Sequence, residues 1–435
     1  MDKLPDKIHF IGIGGAGMAP IAGILHKIGI TVSGSDLCCN SLTKQLVAAG
    51  IAVKSGHSPD NLPNRTDAVV YSSAVKPENP EMIKAKQLCI PLIRRGALLG
   101  RLAKQYQRPV AVSGSHGKTT VTAMLAHILL KNSVDCGYMI GGKTTDASPS
   151  AAAGNGDIFV TEVDESDGTH TCINPYLGLV PNVEDDHSWS VGGKEKLFNN
   201  FSTFGRQSQH LIVVDSETTR ELFKDHPDCT FIDYAKSTAK GGISGLDDLL
   251  YQEWGDYQLF NAALAVQAAI RLGLDEKAAG TALNSFSGVA RRMTVHYFSK
   301  QIVLLEDYAH HPTEVKAAIA ALRKRYPGHH LRIVFQPHRY ARLEKYFDAF
   351  SKELAAADSL YIAPVFAAWT EHAPRGSKEL AAAIPGAESI SPPWNNRIDE
   401  LLAAVNKPLL LAIFGAGDID ELIPVIKDKI TSGRK

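Results

Sequence analysis

A chain of 435 residues is too long for a single hydrophobic core, so two or three domains of ordinary size are expected. Lysine plus arginine and aspartate plus glutamate both number 46, which excludes a global field drawing the chain to nucleic acid or an anionic membrane. Six cysteines (38, 39, 89, 136, 172 and 229) form no C-x-x-C pair, and a reduced setting fits them best. Met1-Asp-Lys-Leu-Pro-Asp-Lys7 leads into a strand rather than a signal-peptide core, and no apolar run reaches bilayer length. The expectation is a soluble cytoplasmic protein with no nucleic-acid partner and no membrane insertion.

In the first stretch, Lys7-Ile-His-Phe-Ile-Gly-Ile13 reads as a buried strand, and Met18 to Ile28 as a helix with apolar residues at helical spacing. Between them lies Gly12-Ile-Gly14-Gly15-Ala-Gly17, a G-x-G-x-x-G turn. The next strand runs from Ile30 towards Asp36, close to where a Rossmann unit places its ribose-binding acid. Alone, this points to a dinucleotide and a dehydrogenase. The same physics serves any diphosphate held at a helix N-terminus, or a glycine turn that merely lets strand and helix pack. Asp67 to Ala74 is a strand ending in small polar residues, where open α/β sheets bind ligands, with Gly56-His57 and Asn61 in the loop before it. Arg94-Arg95 follows another short apolar stretch, and Gly100 to Arg108 reads as a linker.

The second stretch begins with Val110-Ala-Val-Ser-Gly-Ser-His-Gly-Lys-Thr-Thr120, an apolar run, a glycine turn and a helical pattern. This is the layout of a phosphate-binding loop, in the shorter Gly114-x-x-Gly117-Lys-Thr form, because Val112 stands where the common loop has its first glycine. Inward backbone N–H groups and the helix N-terminus hold phosphate, Lys118 adds a mobile cation, and the Thr119 hydroxyl is placed for magnesium. Asp157 to Asp167 is a strand running into clustered acids, and Glu162 is the acid expected to hold magnesium near the loop. Leu177 to Asn182 is a further strand, followed by Val183-Glu-Asp-Asp-His187, where a histidine behind acids suits a second metal, a phosphate or a plain loop. Asp256 to Ile270 is a helix with Asn261 near its start, and the alternation of strands and helices gives a mostly parallel covered sheet.

In the third stretch, the strand Gln301 to Asp307 leads into Tyr308-Ala-His310-His311-Pro312, with Pro312 in the first turn of a helix. Leu331 to Phe335 is the next strand, then Gln336-Pro-His338-Arg339-Tyr-Ala-Arg342, whose arginines share a helix face and suit a carboxylate or phosphate if they are not simply exposed. Leu409 to Asp418 closes the sheet with another glycine turn.

Taken in order, these motifs resemble the Mur ligase family, the ATP-dependent amide-forming enzymes of peptidoglycan precursor synthesis. The resemblance is carried by Gly12–Met18, Gly34-Ser-Asp36, Gly114–Thr120, Glu162-Val-Asp-Glu-Ser-Asp167, Asn182-x-Glu-x-Asp-His187, Arg291-Arg292, Asp307–Glu314 and Phe335–Tyr340. Among members, the first glycine loop and Glu165-Ser166-Asp167 follow the alanine-adding pattern. Members that attach recycled murein tripeptide differ at both places. A homologue that holds nucleotide sugar without turnover is the other reading.

The resemblance implies an α/β fold in three domains. These are a Rossmann-like domain for the nucleotide sugar (1–105), a central P-loop ATPase-type domain with a mostly parallel sheet (106–293), and a Rossmann-like amino-acid domain (294–435). It implies UDP-N-acetylmuramate at Gly12, Gly14, Gly15, Gly17, Met18, Ser35, Asp36, His57, Ser72 and Ser73, with no redox cofactor. ATP falls to Gly114, Ser115, His116, Gly117, Lys118, Thr119, Thr120, Asn261, Arg292 and Asp307. Magnesium, in two sites, falls to Thr119, Glu162 and His187, and the catalytic set is Lys118, Glu162 and His187. L-alanine falls to His310, His338, Arg339 and Arg342. The family's Gly-x-His-Asn-x-x-Asn segment at the adenine end is reduced here to Gly255-Asp-Tyr257-Gln258-Leu-Phe-Asn261.

Overall fold

A computed structural model of the protein describes residues 3–72, 74–146, 148–368, 374–403 and 405–432. Two compact units emerge, Met1–Leu246 with Phe260–Phe286, and Asp247–Leu259 with Ser287–Lys435. The architecture is α/β, with three sheets that are mostly parallel.

The first unit holds two sheets. Strands β1 (Lys7–Ile11), β2 (Thr31–Asp36), β3 (Ala52–Ser55), β4 (Ala68–Tyr71) and β5 (Leu92–Arg94) pair in the order β3-β2-β1-β4-β5. All are parallel, with Ile11 beside both Ser35 and Tyr71. Order reverses between β1 and β4, so the loop after β1 opens at the switch point where such sheets take ligands. That loop leads into α1 (Ala19–Lys27), which buries Ile21, Ala22, Ile24 and Leu25 against the sheet. Helices α2 (Ser41–Ala48), α3 (Pro80–Gln87) and α4 (Arg95–Ala103) complete the layer arrangement.

The second sheet runs β12-β11-β10-β6-β9-β7-β8, from β6 (Arg108–Val112), β7 (Cys136–Met139), β8 (Ala151–Ala152), β9 (Ile158–Glu162), β10 (Leu177–Val180), β11 (His210–Val214) and β12 (Cys229–Ile232). Only β8 is antiparallel. The phosphate-loop strand β6 is central, flanked by β9 and β10, so the acids after β9 and the loop after β10 both converge on it. Helix α5 (Lys118–Lys131) is apolar almost all round and correspondingly buried from Thr120 to Leu129 except at His127.

Of the stretch Gly100 to Arg108, only the turn at 104–107 is a linker. The first residues of the stretch belong to α4, in which Leu98, Leu99, Leu102 and Ala103 are buried, and Arg108 opens β6. Gly96 and Gly100 serve close packing. A Cβ on Gly96 would lie 2.6 Å from Thr169 Oγ1, and one on Gly100 would lie 2.0 Å from the Cys172 carbonyl oxygen. Helix backbone thus rests directly on the 3-10 turn Thr169–Cys172 of the second sheet. Buried apolar residues drawn from both sheets accordingly join in one cluster, from Phe10, Leu25 and Leu99 to Phe159, Phe201 and Phe204, while Ile11, Val69 and Met82 form another on the first sheet.

The second unit is built on β13 (Thr294–Phe298), β14 (Ile302–Asp307), β15 (His330–Phe335), β16 (Ser359–Ile362), β17 (Ala387–Ser389) and β18 (Leu409–Phe414), in the order β13-β14-β18-β15-β16-β17. Only β13 is antiparallel. The last strand does not close an edge as its place in the chain suggests; it inserts between β14 and β15. Both faces of this sheet are covered, with Val303, Leu305, Ile333 and Phe335 in one cluster and Leu304, Val334, Leu411 and Ile413 in the other. Covering both faces is why these strands read as continuous apolar runs rather than alternating ones. No helix among the described residues is long and apolar enough to cross a membrane.

Candidate active site

Residues at the carboxyl ends of β1 and β2 make the first part of the site. The backbone oxygen of Ser35 accepts the N–H groups of Gly12 (2.8 Å) and Ile13 (3.0 Å), and Asp36 Oδ2 accepts that of Gly14 (2.8 Å). Asp36 also takes the Cys38 N–H at 3.0 Å, so its carboxylate closes the glycine loop onto β2. Ser35 Oγ and His57 Nδ1 are 3.0 Å apart, and the Ser72 hydroxyl lies 4.0 Å from where a Gly12 Cβ would stand. Gly15 and Met18 are in mutual contact at the entry to α1. Ser73 lies outside the described residues. Gly12, Gly14, Gly15, Met18, Ser35, Asp36, His57 and Ser72 are therefore grouped at one end of one sheet.

Arg95 adds a cation that motif reading left out. Its Nη1 would lie 2.7 Å from a Cβ on Gly17, and its Nη2 bonds Asp167 Oδ2 at 2.5 Å and Thr169 Oγ1 at 3.4 Å. Asp167 is held in turn by the Thr169 N–H (2.9 Å). One guanidinium thus joins the first glycine loop to the acidic segment after β9.

The phosphate loop itself is tightly specified. Gly117 sits at φ +83° where α5 begins, a left-handed conformation that a side chain resists, and a Cβ there would also fall 2.6 Å from Asn261 Oδ1. Asn261 therefore lies beside the loop. The loop is clipped to the segment after β10: His116 N–H donates to Asn182 Oδ1 (2.8 Å), Asn182 Nδ2 to the His116 oxygen (3.0 Å), and Glu184 N–H to Ser115 Oγ (2.9 Å). Thr120 is buried behind it in the first turn of α5.

Lys118 folds back on this loop, its Nζ donating to the Gly114 oxygen (2.6 Å) and to Glu165 Oε2 (2.7 Å). Burial works against its charge, but Glu165, Asp164 and Glu162 around it outweigh burial and hold its pKa above the ordinary lysine range. Glu165 is itself wholly buried, and burial with the neighbouring Asp164 pushes its carboxyl up to about 7 despite the lysine. Its importance is hidden in the sequence, because strand alternation ends at Glu162 and gives no guide to which later acid turns inward.

Thr119 Oγ1 donates to Glu162 Oε2 at 2.7 Å. Burial raises the pKa of Glu162, offset by the Thr119 hydroxyl and by Lys118. Glu165 is buried and Glu162 and Asp164 are half-buried rather than solvated surface charge, whereas Asp167 is exposed. His187 adopts φ +65°, costly for a histidine, and places Nε2 3.4 Å from Asp186 Oδ2 and 4.0 Å from Glu165 Oε1. The Thr119 hydroxyl and the Glu162 carboxylate, bonded to each other beside the loop, are hard oxygen donors of the kind magnesium takes, while His187 is tied to Asp186 and Glu165.

In the second unit, Arg292 pairs with Glu314 Oε1 (3.1 Å) and lies over the Tyr308 ring at 5.0 Å, while Arg291 covers the same ring at 5.1 Å. Burial opposes the Arg292 charge, but Glu314 and Asp307 overcome it. Asp307 accepts the N–H groups of Met293 and Ala309 (both 2.8 Å), and burial pushes its carboxyl up to about 6 against the pull of Arg292. His310 contacts Glu314 at 3.2 Å and faces His338, ring centroids 5.6 Å apart. Arg342 is not an exposed surface residue: it is 1% exposed and reaches His338 Nδ1 at 3.1 Å. Arg339 caps the same helix, Tyr340–Lys345, at φ +68°. The six residues assigned here in the sequence thus share one end of one sheet. Tyr257 and Gln258 lie in Asp247–Leu259, which packs with this unit through Gly255 on Ala321 and through Asp256 with Lys324.

Three family models match the chain in order: "Mur ligase family, catalytic domain" over residues 7–107, "Mur ligase middle domain" over 112–262, and "Mur ligase, glutamate ligase domain" over 291–417. A relative from Desulforamulus reducens, a UDP-N-acetylmuramate--L-alanine ligase, is 36% identical over 97% of this chain and 98% of its own. Among solved structures, a UDP-N-acetylmuramate-alanine ligase from Thermotoga maritima has a TM-score of 0.78 at 24% identity, covering 98% of this chain and 99% of that one. A murein peptide ligase from Psychrobacter arcticus reaches a TM-score of 0.66 at 21% identity, covering 97% and 98%. On this evidence the chain belongs to the Mur ligase family.

Proposed function

We propose that this chain is an ATP-dependent ligase that joins L-alanine to the carboxylate of UDP-N-acetylmuramate, a step of peptidoglycan precursor synthesis. The observation that carries this reading is the end-to-end likeness to the Desulforamulus ligase at 36% identity. The enclosed lysine, threonine and acids around the phosphate loop support it, because they are what phosphoryl transfer between two anions requires.

On this reading the first glycine loop, with Ser35, Asp36, His57 and Ser72, holds the nucleotide sugar. Ser73 is proposed for the same site. ATP lies on Gly114–Thr120, with Asn261, Arg292 and Asp307 as further contacts. Lys118 leaves Glu165 to meet the phosphates. Thr119, Glu162 and His187 would hold magnesium, which supplies charge neutralisation. The sugar carboxylate attacks the γ-phosphorus, the bond to ADP breaks, and an acyl phosphate results. The alanine amine, delivered by His310, His338, Arg339 and Arg342, attacks the acyl carbon; phosphate leaves and the amine gives up a proton. Alignment contributes most of the acceleration in such a site.

The test is ADP release from the full chain with UDP-N-acetylmuramate, ATP and magnesium, comparing L-alanine, L-serine, glycine and murein tripeptide. Turnover requiring L-alanine is expected. Turnover with tripeptide alone would move the assignment to the recycling reaction, and no turnover with any acceptor despite sugar-nucleotide binding would leave a binding protein.

A further inference from the structure

Glu81 stands in the first turn of α3, on no motif that points to chemistry, yet it is the hub of a polar network at the nucleotide-sugar end of the first sheet. Its side chain is fully buried. Oε2 accepts from His9 Nε2 and from Ser35 Oγ, both at 2.8 Å. Oε1 accepts from His57 Nδ1 (3.1 Å), Asn61 Nδ2 (3.2 Å) and the Ser58 N–H (3.3 Å). Burial alone would raise its pKa, but the donors His9, Ser35 and Asn61 more than reverse this and keep the group a carboxylate below its ordinary pKa.

These contacts fix protons as well as positions. Ser35 gives its hydroxyl proton to Glu81, so its oxygen is left to accept from His57 Nδ1 at 3.0 Å. The proton of a neutral His57 therefore sits on Nδ1. Its Nε2 makes no hydrogen bond among the described residues, and the side chain keeps 15% exposure. Ser35, to which the ring is tied, carries the backbone oxygen that binds Gly12 and Ile13. A purely structural pin would not need to leave one ring nitrogen open beside a glycine loop, and a buried charge is a poor source of stability compared with apolar packing.

We propose that Glu81 is a positioning residue of the nucleotide-sugar site, holding His57 in the Nδ1–H form with Nε2 presented to the nucleoside diphosphate. This rests on the reading of the first glycine loop as that site. Glu81→Gln keeps the shape but not the pattern. Both carboxylate edges face donors, so the amide NH₂ must confront either His9 and Ser35 or His57, Ser58 and Asn61, and a neighbouring imidazole must change tautomer.

The experiment is calorimetric titration of the full chain with UDP-N-acetylmuramate and with UDP, for the wild type, E81Q, E81D, H57A and E81Q/H57A. KM for ATP and for L-alanine is measured alongside, with the His57 tautomer from ¹⁵N NMR. Expected are at least tenfold weaker binding of both uridine ligands in E81Q and H57A, a double variant no weaker than H57A, and KM for ATP and alanine within about twofold of wild type. E81D, shorter by one methylene, should fall between wild type and E81Q, which keeps the test available if E81Q does not fold. Wild-type binding retained in folded E81Q or E81D, or losses that multiply in the double variant, overturns the proposal while sparing the site. A wild type that binds neither ligand overturns the site and the proposal together.

Discussion

Two helix-interior glycines in the first unit should respond to the same substitution with opposite sign. A Cβ on Gly100 would stand 2.0 Å from the Cys172 carbonyl oxygen. An ordinary C···O approach is about 3.3 Å, so α4 must retreat from the turn Thr169–Cys172 by more than ~1 Å. The gain in helix propensity, about 1 kcal/mol, is opposed by overpacking of roughly 1–3 kcal/mol against backbone on both sides. Retreat also strains the Arg95 bond to Asp167, a charge-assisted contact of about 1.5–3 kcal/mol. The net expectation for Gly100→Ala is a loss of about 2–4 kcal/mol. On Gly23 in α1 the nearest atom is Leu46 Cδ2 at 4.0 Å, an ordinary contact, so Gly23→Ala should gain roughly 0.5–1 kcal/mol. Thermal melts followed by circular dichroism, with ADP release at 25 °C, check both. At ~2–4 °C per kcal/mol, Gly100→Ala should melt several degrees lower and turn over more slowly, because Asp167 follows Glu165 in the acidic segment. A Gly100→Ala protein as stable as wild type would refute the direct backbone packing of α4.

Other variants probe the charges. Lys118→Met should abolish ADP release while leaving UDP-N-acetylmuramate affinity within about twofold; retained turnover would remove the phosphate loop from the mechanism. Glu165 by itself should cost stability as pH rises from 4.5 to about 7, because a carboxyl whose folded pKa exceeds its unfolded value binds more protons when folded. Buried His170, its pKa depressed to about 4, works the opposite way over much of that window, so the Glu165 contribution is read from the difference between variants. For Glu165 the loss over that window is about 3 kcal/mol, at ~1.4 kcal/mol per unit. Without Lys118 the loss should extend to higher pH, so the urea-midpoint gap between Lys118→Met and wild type should be wider at pH 8 than at pH 5.5, and an equal gap would contradict the pairing. Arg95→Ala should raise KM for UDP-N-acetylmuramate severalfold and lower the melting temperature, whereas Arg95→Lys, which loses the planar fork, should restore stability more than KM. Arg342→Lys should raise KM for L-alanine with little change for ATP, because Arg342 is buried and bonded to His338.

Local chemistry made much of this protein legible in its sequence. The two glycine loops, the apolar strands that precede them, Glu162 at the end of β9 and Pro312 opening its helix are set by turn geometry, strand burial and helix termini, which act over a few residues. So is the alternation that yields parallel sheets. Tertiary structure decided what depends on partners remote in the chain. Gly100 reads as the start of a linker until Cys172 is brought against it. The last described strand enters the middle of its sheet, where β14 and β15, remote from it in the chain, pair with its two edges. Glu81 and Glu165 are acids like any others until burial surrounds one with five donors and pairs the other with Lys118. Spacing encodes which groups can turn together on one element; only packing fixes which charges lose water, and with it which protons they hold.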